Sequence, residues 1–154
     1  MIRQIGIYIL VKTRVKIVLH KWGGTMQLVE RVMESRKEVY NQLKTILTSI
    51  NSDYCIETRE DLSSLTVEGQ DGTHLYIRLE IMSNGEVRVN FSNIIIGERR
   101  KGTFTAIIQG VKESNIIKNA DITSVFSNEM ISFCTKHKFK GQELYDGVYD
   151  YKIK

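Results

Sequence analysis

Three consecutive cations and a glycine separate a run of branched apolar residues from an amphipathic segment. The run is Ile94, Ile95 and Ile96. After Gly97 and Glu98 the chain continues with Arg99, Arg100, Lys101, Gly102 and Thr103. Apolar residues recur at helical spacing from Phe104 onward, so the cations lie where a buried strand passes into a helix. A helix start has unpaired N–H groups and a positive dipole end, and favours a bound anion. The junction predicts a phosphate-binding loop, and the alternative is a solvated basic turn.

Other residues that could do chemistry form no recognisable catalytic pattern. The candidate bases Glu80, Glu86 and Glu98 are interpreted as surface carboxylates, and the three histidines, His20, His74 and His137, are isolated in sequence. The two cysteines, Cys55 and Cys134, show neither CxxC spacing nor a histidine cluster. We therefore expect no metal site and no disulfide framework, and a reducing cytoplasm is the simplest location.

The basic charge is concentrated at the start of the chain. The chain of 154 residues has 22 basic residues, and five of them fall in the first 25 residues, which contain no acid. The rest of the chain contains 17 basic and 18 acidic residues. A general nucleic-acid surface is therefore not expected. The apolar run from Ile5 to Val11 is too short to span a bilayer and cations follow it, so we predict no membrane segment.

Residues 1–25 have two interpretations. The codons of Trp22, Gly23 and Gly24 can be written as a sequence that resembles a bacterial ribosome-binding site ahead of Met26. On this hypothesis residues 1–25 are a translated leader and the domain comprises residues 26–154. The alternative is an additional first strand, because the segment is rich in β-branched residues.

The first half of the domain is predicted to form one helix followed by extended segments. Apolar residues at helical spacing predict an amphipathic helix from Met26 to Ile50. Extended segments follow at 54–58 and 64–68, and a strand at 74–82 turns back through Asn84-Gly85 onto a strand at 86–96. The apolar alternation of this last strand slips by one residue, which predicts a β-bulge near Ser92-Asn93.

The second half alternates helix and strand and ends in a hairpin. We predict a helix at 102–114, a strand at 121–126, a helix at 128–137 capped by Ser127, and a hairpin around Asp146-Gly147. Without repeats or a linker, this order predicts a single α+β domain with a mixed central sheet. We expect about six to seven strands and about three flanking helices.

The chain resembles the GNAT superfamily of acyl-CoA-dependent N-acetyltransferases. The family motif Arg/Gln-x-x-Gly-x-Gly/Ala, between the fourth strand and the next helix, corresponds to Arg99-Arg100-Lys101-Gly102-Thr103-Phe104, which departs from it at Phe104. The segment Ser127–Phe139 is similar to a second family motif, with Phe133 and Phe139 in register and Asn128 one residue late. Cys134 stands where the family has a tyrosine. The resemblance covers Leu75 to Ile153.

The resemblance implies specific roles. The loop from Arg99 to Thr103 would hold the pyrophosphate of acetyl-CoA, and the main chain of Ile94–Ile96 would pair with the pantetheine arm between two splayed parallel strands. Asn128 would hydrogen-bond the pantetheine, although it equally suits a helix start. Cys134 would protonate the leaving thiolate, although its position on the apolar side of a helix favours packing.

Two functions follow from the resemblance. The first is an N-acetyltransferase in which an acceptor amine attacks acetyl-CoA directly in a ternary complex. The second is an inactive GNAT-like binding protein that acts through protein contacts. The acceptor stays open, as does the choice between monomer and homodimer, and the resemblance suits a small bacterial or phage member.

Overall fold

The computed structural model describes residues 26–97 and 101–154, so the two interpretations of residues 1–25 lie outside the described residues. The first half contains helix α1 (Met26–Ile50) and four strands: β1 (Cys55–Thr58), β2 (Ser64–Glu68), β3 (His74–Ile81) and β4 (Val87–Ile95). The second half contains helix α2 (Thr103–Glu113), β5 (Asn119–Val125), α3 (Asn128–Lys136), β6 (Lys140–Tyr145) and β7 (Val148–Lys152).

All seven described strands form one sheet in the order β1-β2-β3-β4-β5-β7-β6. Neighbouring strands are antiparallel except β4 and β5, which are parallel because helix α2 connects them as a crossover. The predicted fold class, a single α+β domain with a mixed sheet, is confirmed, and the described residues contain three helices. The strand predicted at 121–126 begins two residues earlier, at Asn119.

One face of the sheet forms the core. Alternate residues of β3 and β4, such as Leu75, Ile77, Val89 and Phe91, are buried in a single apolar cluster together with residues of all three helices. The intervening residues carry polar and charged side chains on the opposite face. Arg88 there forms ion pairs with Glu80 at 2.8 Å and with Asp121 at 3.4 Å.

Helix α1 is fastened to the sheet by a buried cation. The guanidinium of Arg36 is only 5% exposed and donates from Nε to the carbonyl of Leu79 at 3.2 Å and from Nη1 to the carbonyl of Asp61 at 3.3 Å. Burial lowers the pKa of Arg36. These bonds fix α1 against β3 and against the loop between β1 and β2.

Candidate functional site

Strands β4 and β5 part from one another halfway along their length. They pair from Arg88 and Asn119 to Phe91 and Ile122, and no pairing between them is found beyond that rung in the described residues. From there β4 continues to pair only with β3, and β5 only with β7. Since alternate main-chain groups of a strand point to each side, those beyond the rung are directed into the gap.

An irregularity in each strand accompanies the opening. In β4, Tyr76 of β3 pairs with Asn93 and Ile77 pairs with Phe91, so Ser92 is the extra residue of a bulge and that prediction is confirmed. In β5, the register with β7 shifts after Ile122, and Ser124 adopts a positive φ of 55°. The two strands therefore turn away from each other at the same level.

Helix α2 begins at the mouth of this gap without a side-chain cap. Its N-cap is Gly102, in the left-handed region at φ 72°, and the first intrahelical bond runs from the amide of Ala106 to the carbonyl of Gly102 at 2.9 Å. The amides of Thr103, Phe104 and Thr105 precede that bond and have no acceptor within the helix. Together with the helix dipole they form a positive site suited to an anion.

The parted strands, the start of α2 and helix α3 enclose an open cleft of about 850 Å³, here called the candidate cleft. Its walls from β4 and α2 are Ile94, Ile95, Ile96, Gly102, Thr103, Phe104 and Thr105. Its wall from the α3 side is Ser127, Glu129, Met130, Phe133 and Lys136. The structure thus brings together five residues that the sequence predicted as cofactor-binding, Ile94–Ile96, Gly102 and Thr103.

The segment that leads into the phosphate-loop candidate is anchored to the turn between β2 and β3. The amide of Gly97 donates to Oγ1 of Thr73 at 3.1 Å, and Thr73 in turn donates from its amide and its hydroxyl to the carboxylate of Asp71 at 2.9 and 3.0 Å. The two bonds from Thr73 lower the pKa of Asp71, and the nearby Lys101 acts in the same direction. Sequence reasoning missed this anchor, because its partners are distant in sequence.

Phe104, the departure from the family motif, does not obstruct the loop. Its side chain is 6% exposed and meets Phe91 edge-on, with ring centroids 5.8 Å apart, and Phe133 at 5.1 Å. The ring therefore packs in the core and joins α2 and α3 to the sheet, and the same residue also lines the cleft.

Cys134 does not line the candidate cleft. Its side chain is fully buried in the core, and burial raises the pKa of the thiol from 9.0 to about 12. A thiol this weakly acidic is a poor proton donor near neutral pH. The structure therefore places Cys134 where a packing role is favoured over the proton-donor role that the resemblance implied. Tyr145, Tyr149 and Tyr151 of the terminal hairpin, whose phenols could supply the proton instead, do not line the cleft either.

The other predicted residues are placed as follows. Ser127 caps α3, since its hydroxyl accepts from the amide of Met130 at 3.2 Å, whereas Asn128 is exposed and is not part of the cleft wall. Lys101 is exposed next to the anchor. Arg99 and Arg100 lie outside the described residues, so their predicted contacts stay predictions.

A polar chain that sequence reasoning missed crosses three strands beside the opening. Arg78 on β3 donates from Nε to Oγ of Ser92 at 2.9 Å, and Ser92 donates to Oδ1 of Asn90 at 3.0 Å. Thr123 on β5 donates to the same Oδ1 at 2.7 Å. Asn90 is 2% exposed, so its carbonyl oxygen is buried and accepts two hydroxyl bonds. This set, Arg78, Ser92, Asn90 and Thr123, is called the strand-opening cluster.

Two further features of the described residues bear on the function. No group of three or more His, Cys, Asp or Glu side chains within 26–97 and 101–154 is arranged to hold a metal ion. In the same part of the chain, no helix is both long enough and apolar enough to cross a bilayer.

Comparisons with known proteins give a likeness of fold only. No protein-family model matches the chain, and no curated protein matches it. Among solved structures, one similar chain is Arabidopsis thaliana Naa50 in complex with the bisubstrate analogue CoA-Ac-MVNAL. The identity is 17% and the TM-score 0.39, over 58% of this chain and 69% of that chain. A likeness of this degree does not assign an activity to the present chain.

Proposed function

We propose that the protein is an acetyl-CoA-dependent N-acetyltransferase of the GNAT type, located in the cytoplasm and acting on an amine. The observation that carries the proposal is the meeting, in one cleft, of an uncapped helix start and two parted parallel strands. The helix start suits a phosphate group, and the parted strands suit an extended chain with amide groups. Acetyl-CoA carries both kinds of group at its two ends.

The helix start would hold the phosphates. The amides of Thr103–Thr105 supply donors. Gly102 lets a phosphate approach closely, because it has no side chain and no protein atom lies within 4 Å of the position that a Cβ would occupy. Lys101 would add charge, and so would Arg99 and Arg100, if the loop brings them to the cleft. Gly97 and Thr73 hold the entry of the loop in place, which reduces the ordering needed on binding.

The parted strands would hold the pantetheine arm. Main-chain groups of Ile94–Ile96 would pair with its amides, and Met130 and Phe133 would pack against it from α3. Ile94 and Ile96 also pack against the core, so their side chains stabilise the fold while the main chain binds. The two roles are compatible, because the side chains of a strand project from the faces of the sheet while its N–H and C=O groups point sideways.

The reaction would be a direct acyl transfer. The amine nitrogen forms a bond to the thioester carbonyl carbon, the carbon–sulfur bond breaks, the nitrogen loses a proton and the sulfur gains one. The chain's contribution would be positioning, with main-chain donors beside the bulge polarising the carbonyl. The described cleft wall contains no Tyr, His or Cys side chain, and its ionisable side chains are Glu129 and Lys136. We assign the proton transfers to water.

That same composition of the wall supports the second candidate function. A GNAT-like protein whose described cleft wall lacks the family's tyrosine would bind acetyl-CoA, or a protein partner, without turnover. The burial of Cys134 at the position of the family's tyrosine favours this candidate over a fully active enzyme with an unusual acid.

The test combines stabilisation and turnover. Acetyl-CoA at a hundred times its dissociation constant should stabilise the folded state by about 2.7 kcal/mol, which raises the melting temperature. Free pantetheine, which lacks the phosphates, is the matched control ligand and should give a smaller rise. Release of thiol with a panel of small amines and peptides then separates the two candidates. No stabilisation by acetyl-CoA or coenzyme A would refute the cofactor, and stabilisation without thiol release favours the binding protein.

A further inference from the structure

The strand-opening cluster consists of polar groups at a place where apolar packing would be the simpler solution. Asn90 lies on the rung before the last one that joins β4 and β5, and its side chain is almost completely buried. Burial of an amide costs free energy unless its hydrogen bonds are made. Here the side-chain carbonyl accepts two hydroxyl bonds and so uses both of its lone pairs.

The cluster joins the two features that create the gap. Thr123, in the irregular part of β5, and Ser92, the bulged residue of β4, both donate to Oδ1 of Asn90. Arg78 holds Ser92 from the third strand. The same oxygen atom therefore accepts a hydrogen bond from the irregular segment of each strand.

We infer that Asn90, Ser92 and Thr123 are positioning residues for the acyl–pantetheine part of the ligand, an inference that rests on the proposed function. They act through the main chain of β4, because the bulge at Ser92 sets the direction of the main-chain groups from Asn93 onward. The helix start at Thr103 belongs to a different element, so the phosphate end of the ligand does not depend on the cluster.

This separation makes the inference testable with two ligands. Acetyl-CoA contains the pantetheine arm, whereas adenosine 3′,5′-bisphosphate presents phosphates without it. Thr123→Val removes the hydroxyl and keeps the shape, and Thr123→Ser restores the hydroxyl. Thr66→Val is the matched control, since it makes the same change on β2, whose residues pair with β3 and not with β4 or β5.

Calorimetric titration of each variant with the two ligands measures the two affinities. Loss of one hydrogen bond should weaken acetyl-CoA about three- to tenfold in Thr123→Val, and leave the affinity for the bisphosphate unchanged. Ser92→Ala should behave like Thr123→Val, while Thr123→Ser and Thr66→Val should match the wild type.

Three results overturn the inference. In the first, Thr123→Val binds acetyl-CoA as the wild type does. In the second, both ligands weaken equally, which indicates a general structural role. In the third, wild-type protein binds acetyl-CoA no more tightly than the bisphosphate. The pantetheine arm would then contribute nothing to the affinity, which would come from the phosphate site only. Binding of neither ligand by the wild type refutes the proposed function as well.

Discussion

Gly97 lies against the main-chain carbonyl of Asp71 so closely that a Cβ on residue 97 would overlap it. The amide of Gly97 is held at the same time by the hydroxyl of Thr73. The contact joins the end of β4 to the turn between β2 and β3. It thereby sets where the chain enters the loop that leads to α2.

Substitution of Gly97 should therefore affect both stability and the cleft. Gly97→Ala should cost about 1–3 kcal/mol in the free energy of unfolding, because main chain on both sides must move. Acetyl-CoA should bind more weakly to the folded variant. Chemical denaturation and titration measure the two effects. Gly147→Ala is the control for binding: Gly147 lies in the β6–β7 turn with open space around it but at a φ of 74°, so the variant should lose stability through backbone strain and keep its affinity for acetyl-CoA. An equal loss of affinity in the two variants would argue against the anchor.

A pair of nearly isosteric substitutions at Gly102 isolates the charge at the helix start. Asn and Asp both tolerate the left-handed region, so Gly102→Asn and Gly102→Asp should have similar melting temperatures. Only Gly102→Asp places a negative charge beside the amides that would hold phosphate. We expect it to bind acetyl-CoA at least about tenfold more weakly than Gly102→Asn. Equal affinities would show that the loop is a basic turn and not an anion site.

Cys134 should contribute to packing and not to turnover. Cys134→Ala should lower the free energy of unfolding by about 1 kcal/mol through a small cavity, and leave the rate per folded molecule unchanged if turnover is found. A large loss of rate at an unchanged melting temperature would show instead that the thiol takes part in the reaction.

The same thiol predicts a pH dependence of stability. Its pKa rises from 9.0 to about 12 on folding, so its contribution is complete below pH 9 and is lost as the pH increases toward 12. The expected slope is about 1.4 kcal/mol per pH unit from this group. Burial also raises the pKa of Tyr151, which acts in the same direction. The free energy of unfolding of the wild type minus that of Cys134→Ala, measured by denaturation from pH 8 to 10.5, isolates the contribution of the thiol and should decrease above pH 9. A difference that does not change with pH would contradict the burial of the thiol.

Local patterns were sufficient to predict most of the fold. The helical spacing of α1, the Asn84-Gly85 turn and the phase slip at Ser92 each lie within a few residues of one another, so each can be recognised in one segment. The main-chain part of the candidate cleft was predicted for a similar reason, because Ile94–Ile96 and Gly102 flank a single loop.

The missing parts depend on contacts that are distant in sequence. Asn90 and Thr123 are 33 residues apart and meet only through the register of β4 and β5. Gly97 and Thr73, 24 residues apart, meet only because β3 and β4 are paired. The direction of Phe104 likewise follows from the positions of Phe91 and Phe133. None of these relations leaves a pattern in one segment of the chain.

The most direct test of the central proposal is a titration of isotope-labelled protein with acetyl-CoA, followed by amide chemical shifts. We predict that the largest shifts fall on Ile94, Ile95, Thr103 and Thr105, where the parted strand and the helix start meet in the cleft. Amides at the opposite end of the β3–β4 pairing, such as those of Glu80 and Ile81, should change little. If saturating acetyl-CoA causes no shifts in the cleft, or causes its largest shifts elsewhere, the proposed binding site is contradicted.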